Sequence, residues 1–330
     1  MRAIKIAAAA ALAVSLLSSA AVQAEEIVIK FSHVTSGTSH PKYLAADEFA
    51  KRVNERMKGK VRVEVFPGGQ LFDDKAVLLE LIKGTAVQMA APSLSKFETI
   101  TKKFRIFDLP FLFNDINAVN AFQASDDGQS ILKVLEKKGI MGKAYWHNGM
   151  KQMSANKPLV SPADAKGLKF RVQQSDVLVA QFEQLGSTPQ KMAFKEVYGA
   201  LQTGVVDGQE NTWSNIYSKK FFEVQDGITE TDHGVIDYAV VVSMRFWMGL
   251  PKDIREELDS ILAEVTNDRN KLSRNLNLES RQKVLDAKGT VRTLDKGQKD
   301  AWRAAMKPVW DKFSGEIGQD LIDAAASFSK

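Results

Sequence analysis

Three side chains near the middle of the chain have the chemistry needed to hold an organic acid. Lys151 lies twenty residues before Arg171, and Asn211 lies forty residues after it. The planar guanidinium of arginine matches a carboxylate with two parallel hydrogen bonds, while lysine supplies a compact charge and asparagine an amide donor. Each also has an ordinary explanation: a surface ion pair for the arginine, solvation for the lysine and turn formation for the asparagine.

Five further side chains are candidates for the same site. His33 and the segment 91–97 each follow a predicted strand, and that segment contains the hydroxyl of Ser93 and the cation of Lys96. Phe194 and Trp213 are large apolar side chains that would suit the wall of a pocket, since pockets combine apolar lining with a few polar anchors. Both aromatic residues equally suit a core, and a lone histidine is more often a structural donor.

Catalytic and metal-binding motifs are missing from the sequence. It contains four histidines and no cysteine, which excludes thiolate metal sites and disulfides, and it has no HExxH, Gly-x-Ser-x-Gly, Walker or dinucleotide-binding fingerprint. The neighbouring carboxylates Asp73 and Asp74 are placed as a helix N-cap. The sequence therefore indicates binding without bond-making, metal or cofactor, and a secreted hydrolase lacks its nucleophile.

The N-terminal 24 residues have the pattern of a secretory signal peptide. Arg2 and Lys5 precede an apolar run over residues 6–17, and the small-residue site 22–24 predicts cleavage after Ala24. Removal of residues 1–24, which contain no acidic side chain, lowers the formal charge from +5 to +3. That charge is too small to indicate nucleic-acid binding. We expect an exported, soluble and monomeric protein.

The mature chain begins with an alternation of strands and helices. Residues 27–31 predict a buried strand, residues around 45–53 a helix, residues 60–66 a half-buried strand and residues 77–82 a second helix ended by Gly84. This order favours an α/β sheet with helices on both faces, in which ligands bind beyond the carboxyl ends of the strands.

A second unit is predicted to begin near Asn148, because the 306 residues left after cleavage exceed what one core usually supports. Its expected elements are a strand at 169–172 and helices at 176–185 and 194–202, before a buried strand at 238–244. From Pro251 toward Ala287 the pattern predicts a helix of over roughly 45 Å, at about 1.5 Å per residue. A helix of that length is expected to belong to both domains.

The block from Lys151 to Trp213 resembles one known family. The text HNGMKQMSANKPLVSPADAKGLKFRV, the stretch 186–194 and the text VYGALQTGVVDGQENTWSNIYSKKF closely resemble the solute-binding proteins of TRAP transporters, and most closely their C4-dicarboxylate-binding branch. The resemblance implies an α/β, two-lobed periplasmic-binding-protein fold with a hinge and one long helix across both lobes. The expected boundaries are 25–148 with 237–276 for lobe I, and 149–236 with 277–330 for lobe II.

The resemblance also assigns roles to the candidate residues. Arg171 falls on the family's signature arginine, Lys151 on a second cationic position and Asn211 on a ligand-contacting asparagine, all on lobe II. It implies that His33, Ser93 and Lys96 close onto the distal carboxylate from lobe I. Because the sialic-acid-binding members often have arginine where this chain has Lys151, that position is expected to influence specificity.

The implied function is uptake of succinate, fumarate or malate. The partners would be the small and large integral membrane subunits of a TRAP transporter, driven by an ion gradient, and the protein would be periplasmic. Two alternatives stay open at this point: the same fold binding a sugar acid, keto acid or monocarboxylate, and a ligand sensor that presents its closed form to a receptor kinase.

Overall fold

The computed structural model describes residues 25–329 and contains two β-sheets. The expected signal peptide and its cleavage after Ala24 lie outside the described residues. We use "first lobe" for the five-stranded sheet with the elements packed on it, and "second lobe" for the six-stranded sheet with its own. The expected two-lobed α/β architecture is confirmed.

The first lobe contains strands β1 to β4 and β10: Ile27–Ser32, Val61–Phe66, Met89–Ala90, Ile140–Met150 and Val235–Ser243. Their order is β2-β1-β3-β10-β4, with β1 parallel to β2 and β3, and β10 antiparallel to β3 and β4. All nine residues of β10 are buried. Its position between two other strands, with its faces covered, explains the nearly continuous apolar sequence there.

The second lobe contains strands β5 to β9 and β11: Gln152–Ala155, Lys169–Val172, Thr188–Lys191, Gly208–Asn211, Gly227–Glu230 and Val291–Thr293. Their order is β11-β9-β5-β8-β6-β7. β6 pairs in parallel with both β7 and β8, so the carboxyl ends of these three strands meet at one edge of the sheet. That edge faces the first lobe and presents the predicted arginine and asparagine.

Twelve α-helices lie among residues 25–329. They are α1 to α12: Pro41–Arg56, Ala76–Lys83, Ile116–Ala124, Asp126–Lys133, Asp176–Gln184, Val197–Gln202, Trp213–Ser218, Met244–Gly249, Lys252–Asp286, Lys296–Met306, Val309–Ile317 and Gln319–Ser327. Short 3₁₀ helices add Leu94–Thr99, Lys102–Asp108, Val134–Lys138, Pro162–Ala165, Phe194–Glu196 and Phe221–Val224. Gly84 ends α2 at φ 72°, a left-handed conformation that glycine adopts at little steric cost. No helix of the described chain is long and apolar enough to cross a membrane.

Three connections join the lobes before the C-terminal helices. The chain passes from β4 to β5 at Lys151 and returns from β9 to β10 through residues 231–234. The third connection is α9, whose 35 residues make it about 52 Å long. Leu258 and Ile261 pack in a core of the first lobe, whereas Val284 packs in a core of the second. The predicted long helix across both lobes is present.

The C-terminal helices also divide between the lobes. On α10, Trp302 packs with Phe170 in the second lobe. On α11, Phe313 instead packs in the core that contains Phe104 of the first lobe, and α12 joins the same core. Residues 309–327 therefore lie partly on the first lobe, although the sequence assigned them to lobe II. The change of direction occurs at Pro308, which separates the apolar faces of α10 and α11.

Candidate functional site

A narrow cleft lies between the lobes at the carboxyl ends of their parallel strands. Its lining comes from both sheets: Val34, Thr35, Lys42, Gly68, Gly69, Asp73, Asp74, Ser93, Lys96, Arg171, Gln173, Gln174, Ala193, Phe194, Lys195, Asn211, Asn215, Ile236 and Tyr238. The free volume is about 30 Å³, where one water needs about 10–15 Å³. The lobes are therefore closed over a space that holds about two or three waters.

Three buried cations face this cleft. Lys42, Lys96 and Arg171 are 0%, 6% and 1% exposed. Within the described chain, none of the three forms an ion pair with a carboxylate. An unpaired buried charge is costly, so the arrangement favours a ligand that brings negative charge.

Arg171 is fixed by the strand next to its own. Its Nε and Nη2 donate to the carbonyl oxygen of Met192, at 3.2 and 2.9 Å, directly after β7. The guanidinium carries five N–H donors, so the others remain free for a ligand in the cleft. Burial lowers the pKa of Arg171 to about 10, although the nearby negative charges of Glu210 and Asp74 oppose this shift. It is therefore protonated at neutral pH.

The two lysines come from the first lobe. Lys42 lies in the first turn of α1; its Nζ donates to the carbonyl oxygen of Ala91 at 2.9 Å and is 3.8 Å from the ring centroid of Tyr238. Burial lowers the pKa of Lys42 to about 8, although the charge of Asp74 opposes the shift. Burial, and next the charge of Arg171, lower the pKa of Lys96 to about 8. Both lysines are mostly protonated at pH 7.

Two carboxylates also line the cleft. Asp73 accepts hydrogen bonds from the backbone N–H groups of Lys75 and Ala76, at 2.8 and 2.9 Å. It therefore binds the start of α2, in the manner of the predicted helix cap. Asp74 is buried and accepts from the N–H of Ser93 at 3.4 Å. Of the two carboxylates, only that of Asp74 is buried with the three cations, and it compensates part of their positive charge.

Direct hydrogen bonds hold the two lobes together across the cleft. Ser93 Oγ donates to Gln173 Oε1 at 2.5 Å, and His40 Nε2 lies 2.7 Å from Asn215 Oδ1. Burial lowers the pKa of His40 to about 3, although the hydrogen bond to Asn215 opposes the shift. Asn215 Nδ2 donates in turn to Asn211 Oδ1 at 2.7 Å. The amide of Asn211 is thus oriented by its neighbours.

A second group of contacts joins the lobes beside the cleft. The carboxylate of Glu98, in the first lobe, accepts from the backbone N–H of Asp176 at 2.9 Å and therefore binds the N-terminus of α5 in the second lobe. Arg105 is 3.1 Å from Glu98, 2.6 Å from Asp176 and 2.7 Å from Glu316. These ionic contacts link the first lobe, α5 and α11.

Five of the eight predicted site residues line the cleft together: Arg171, Asn211, Ser93, Lys96 and Phe194. Phe194 is partly buried, and its ring packs edge-on against Phe221 with centroids 5.9 Å apart. The ring thus supplies an apolar wall beside the charged groups. The other three predicted residues lie elsewhere.

Lys151 does not line the cleft. It is fully buried at the crossing between the sheets, and its Nζ is 2.6 Å from Glu210 Oε2. His233 Nε2 is 3.0 Å from the same oxygen. Burial alone would raise the pKa of Glu210, but the charge of Lys151 and the hydrogen bond with His233 lower it to about 2. The charge of Lys151 is therefore already compensated, and its position does not support the expected ligand contact.

His33 and Trp213 are also buried outside the lining. His33 Nδ1 lies 3.1 Å from the hydroxyl of Thr35, and burial lowers its pKa well below the ordinary value. His33 therefore contacts Thr35, a residue of the lining, without lining the cleft itself. Trp213 packs in the core of the second lobe and borders a separate cavity on the α9 side with Arg281.

The structure adds residues to the cleft that the sequence reasoning did not select. The main ones are Lys42, Asp74, Gln173, Gln174, Asn215 and Tyr238. The burial of Lys42 was predictable from the sequence, because it lies three and four residues before Ala45 and Ala46 on the buried face of α1. Gln173 follows Arg171 by two residues, so alternation along the chain places both side chains on the same side. Asn215 and Tyr238 gave no comparable signal.

Residues 25–329 contain no group of three or more histidine, aspartate or glutamate side chains placed to hold a metal ion. The polar groups that line the cleft are cations, amides, hydroxyls and two carboxylates.

Comparison with known proteins agrees with this arrangement. Residues 31–316 match the DctP family, described as bacterial extracellular solute-binding protein, family 7. The C4-dicarboxylate-binding periplasmic protein DctP of Vibrio cholerae is 59% identical over 300 residues, which cover 91% of this chain and 90% of that protein. The protein of that name from Shewanella loihica is 51% identical over 300 residues, with 91% and 89% covered.

Solved structures give the same result. A TRAP periplasmic solute-binding protein from Shewanella oneidensis, with bound succinate, superposes with a TM-score of 0.90 at 49% identity, covering 92% of this chain and all of that one. Another from Pseudomonas aeruginosa, with bound L-malate, gives a TM-score of 0.83 at 47% identity, with 87% and 99% covered. With the two lobes, the long helix and the cationic cleft in place, the chain belongs to the DctP family of bacterial extracellular solute-binding proteins, family 7.

Proposed function

We propose that this protein captures a C4-dicarboxylate between its lobes and delivers it to the small and large membrane subunits of a TRAP transporter. The names of the Vibrio and Shewanella relatives support the ligand class, as do the succinate and L-malate bound to the two solved neighbours. The family consists of solute-binding proteins, which supports a role in binding and not in catalysis.

The observation that carries the proposal is the charge of the closed cleft. Three buried cations, Lys42, Lys96 and Arg171, face one buried carboxylate, Asp74. The more exposed Lys195 and Asp73 offset one another. The buried surplus of two positive charges matches a dianion, whereas a monocarboxylate would leave one buried cation without a partner.

The two carboxylates of the ligand would have different partners. The free guanidinium N–H groups of Arg171 suit the first carboxylate, because the fork allows two parallel hydrogen bonds. Lys42 and Lys96 reach the cleft from the opposite lobe and suit the second. Phe194 would then pack against the methylene carbons. Binding through both lobes would stabilise the closed form, since only that form brings all three cations to one ligand.

Lys151 has a different role in this proposal. With Glu210 and His233 it forms a buried ionic cluster beside the chain crossing at the hinge. The cluster would hold β8 in place behind Asn211, which immediately follows Glu210. Lys151 and His33 would therefore influence ligand binding only through neighbouring residues.

Calorimetric titration of ligand-stripped protein tests the proposed ligand class. Succinate, fumarate and malate should bind one to one, while lactate, pyruvate and a sialic acid should bind far more weakly. Arg171→Ala should reduce diacid affinity by at least about 30-fold, in line with the 2–5 kcal/mol typical of truncating a buried charge pair. Arg274→Ala, an exposed arginine on α9, should leave the affinity unchanged. Tight binding of another acid with no response to the diacids would refute the proposed ligand.

Delivery to a transporter and periplasmic location need separate tests. Uptake of radiolabelled succinate into vesicles containing the two membrane subunits should require this protein and an ion gradient, without ATP. Diacid binding without any stimulation of uptake would instead favour the sensor role. Recovery of the protein from the periplasm, with Glu25 as its first residue, would support the expected cleavage after Ala24.

A further inference from the structure

Two amide atoms in the cleft have no hydrogen-bond partner in the described structure. One is a donor, Nε2 of Gln173, and the other is an acceptor, Oε1 of Gln174. Both side chains line the cleft, and both atoms are buried from solvent. Because these two atoms lie in the lining of the cleft, a bound ligand is in a position to supply their missing partners.

The neighbouring side chains do not satisfy Gln174. The hydroxyl of Ser93 donates to Gln173 Oε1, and the amides of Asn211 and Asn215 bind Gln209, His40 and one another. No cationic side chain of the described residues donates to Gln174 Oε1 either. A hydrogen-bond donor on the ligand would satisfy this oxygen.

C4 diacids with and without a 2-hydroxyl group differ in whether they carry a neutral hydrogen-bond donor. At neutral pH, both carboxylates of succinate or fumarate are ionised and only accept hydrogen bonds. These ligands would accept from Gln173 Nε2 but offer no donor to Gln174 Oε1. A 2-hydroxy diacid carries the same two negative charges and adds one O–H donor, so it would be able to satisfy both amides.

We propose that Gln174 determines specificity within the diacids, by accepting a hydrogen bond from the hydroxyl of a 2-hydroxy C4-dicarboxylate such as L-malate. This inference rests on the proposed function, since it concerns the same cleft. It makes L-malate the preferred ligand over succinate and fumarate, and it makes one enantiomer of malate better than the other because the hydroxyl must reach one fixed atom.

Titration of the wild-type protein gives the first test. L-malate should bind more tightly than succinate by roughly 2- to 12-fold, the range expected for one net hydrogen bond. D-malate should lose that advantage. Equal affinities for L-malate and succinate would overturn the inference while leaving the proposed function intact, whereas failure of every diacid to bind would overturn both. Tighter binding of L-aspartate, whose ammonium is also a donor, would overturn the assignment of a hydroxyl.

Gln174→Met gives the second test, because methionine keeps the length of the side chain and removes the acceptor. The variant should lose more affinity for L-malate than for succinate, so that the ratio between them falls to about one. Gln184→Met, at an exposed position on α5 outside the cleft, should retain the wild-type ratio. An equal loss for both ligands would mean that the amide presents Nε2 to a carboxylate, and it would overturn the inference.

Discussion

Replacing Lys96 with methionine should stabilise the ligand-free protein while weakening diacid binding. Lys96 is 6% exposed, and its side chain forms no hydrogen bond with any residue in the described range 25–329. Burial lowers its pKa from 10.5 to about 8. At about 1.4 kcal/mol per pKa unit, that shift corresponds to roughly 3 kcal/mol of destabilisation of the folded protein when the cleft is closed without a ligand. Methionine occupies similar space without the charge, so we expect a gain in unfolding free energy on the order of 2–3 kcal/mol at pH 7.

The gain should depend on pH with a defined sign. Below pH 8 the lysine is protonated in both the folded and the unfolded protein, and the folded protein bears the full penalty of the buried charge. Between pH 8 and 10.5 the folded protein loses that proton first, so the penalty decreases. The difference in stability between wild type and variant should therefore be largest near pH 7 and vanish near pH 10.5.

Urea unfolding of ligand-stripped protein measures the effect. Lys102→Met is the matched control, because Lys102 is exposed in the neighbouring 3₁₀ helix and its replacement changes the net charge equally. The control should change the unfolding free energy by less than about 0.5 kcal/mol. Succinate affinity should fall by roughly 30-fold or more in Lys96→Met only. If Lys96→Met were no more stable than Lys102→Met at pH 7, the argument for an uncompensated buried cation would be refuted.

Two other contacts allow similar tests. Lys151→Met should lower the unfolding free energy by about 3–5 kcal/mol, because it leaves Glu210 as an uncompensated buried charge. Adding Glu210→Gln should recover most of this loss in urea unfolding. If the losses of the two single variants simply added in the double variant, the two side chains would not stabilise one another. Glu98→Gln should reduce succinate affinity a few-fold in calorimetric titration, because it weakens the contacts with Arg105 and the N-terminus of α5. Unchanged affinity would show that these contacts do not contribute to closure.

Local patterns predicted much of the fold. The strand at residues 27–31, the helix that ends at Gly84 and the long helix after Pro251 follow from apolar spacing and capping residues within single segments, although that strand is only partly buried. The packing of α11 and α12 on the first lobe did not follow, because an apolar helix face shows that the helix packs but does not show on which core. The contacts with Phe104 and its neighbours form only in the folded chain.

A residue of the candidate site was predictable from the sequence when a charged side chain lies at the end of a predicted strand. Arg171 is such a case, since the carboxyl end of β6 faces the cleft. Lys151 was misleading, because its partner Glu210 lies 59 positions away in the sequence and reaches it through the antiparallel pairing of β5 with β8. Asp74 and Asn215 likewise join the site only through tertiary contacts. Charge pairing inside a protein depends on such contacts, and one sequence does not display them.

Proton uptake on binding tests the central claim, that a dianion compensates buried cations in the cleft. In the closed cleft the pKa values of Lys42 and Lys96 are both about 8, so each is about half protonated at pH 8, and a dianion bound there should raise both. Calorimetric titration with succinate in buffers of different ionisation enthalpy should show uptake of about one proton at pH 8 and close to none at pH 6.5. Binding at pH 8 without proton uptake, or with proton release, would contradict the account.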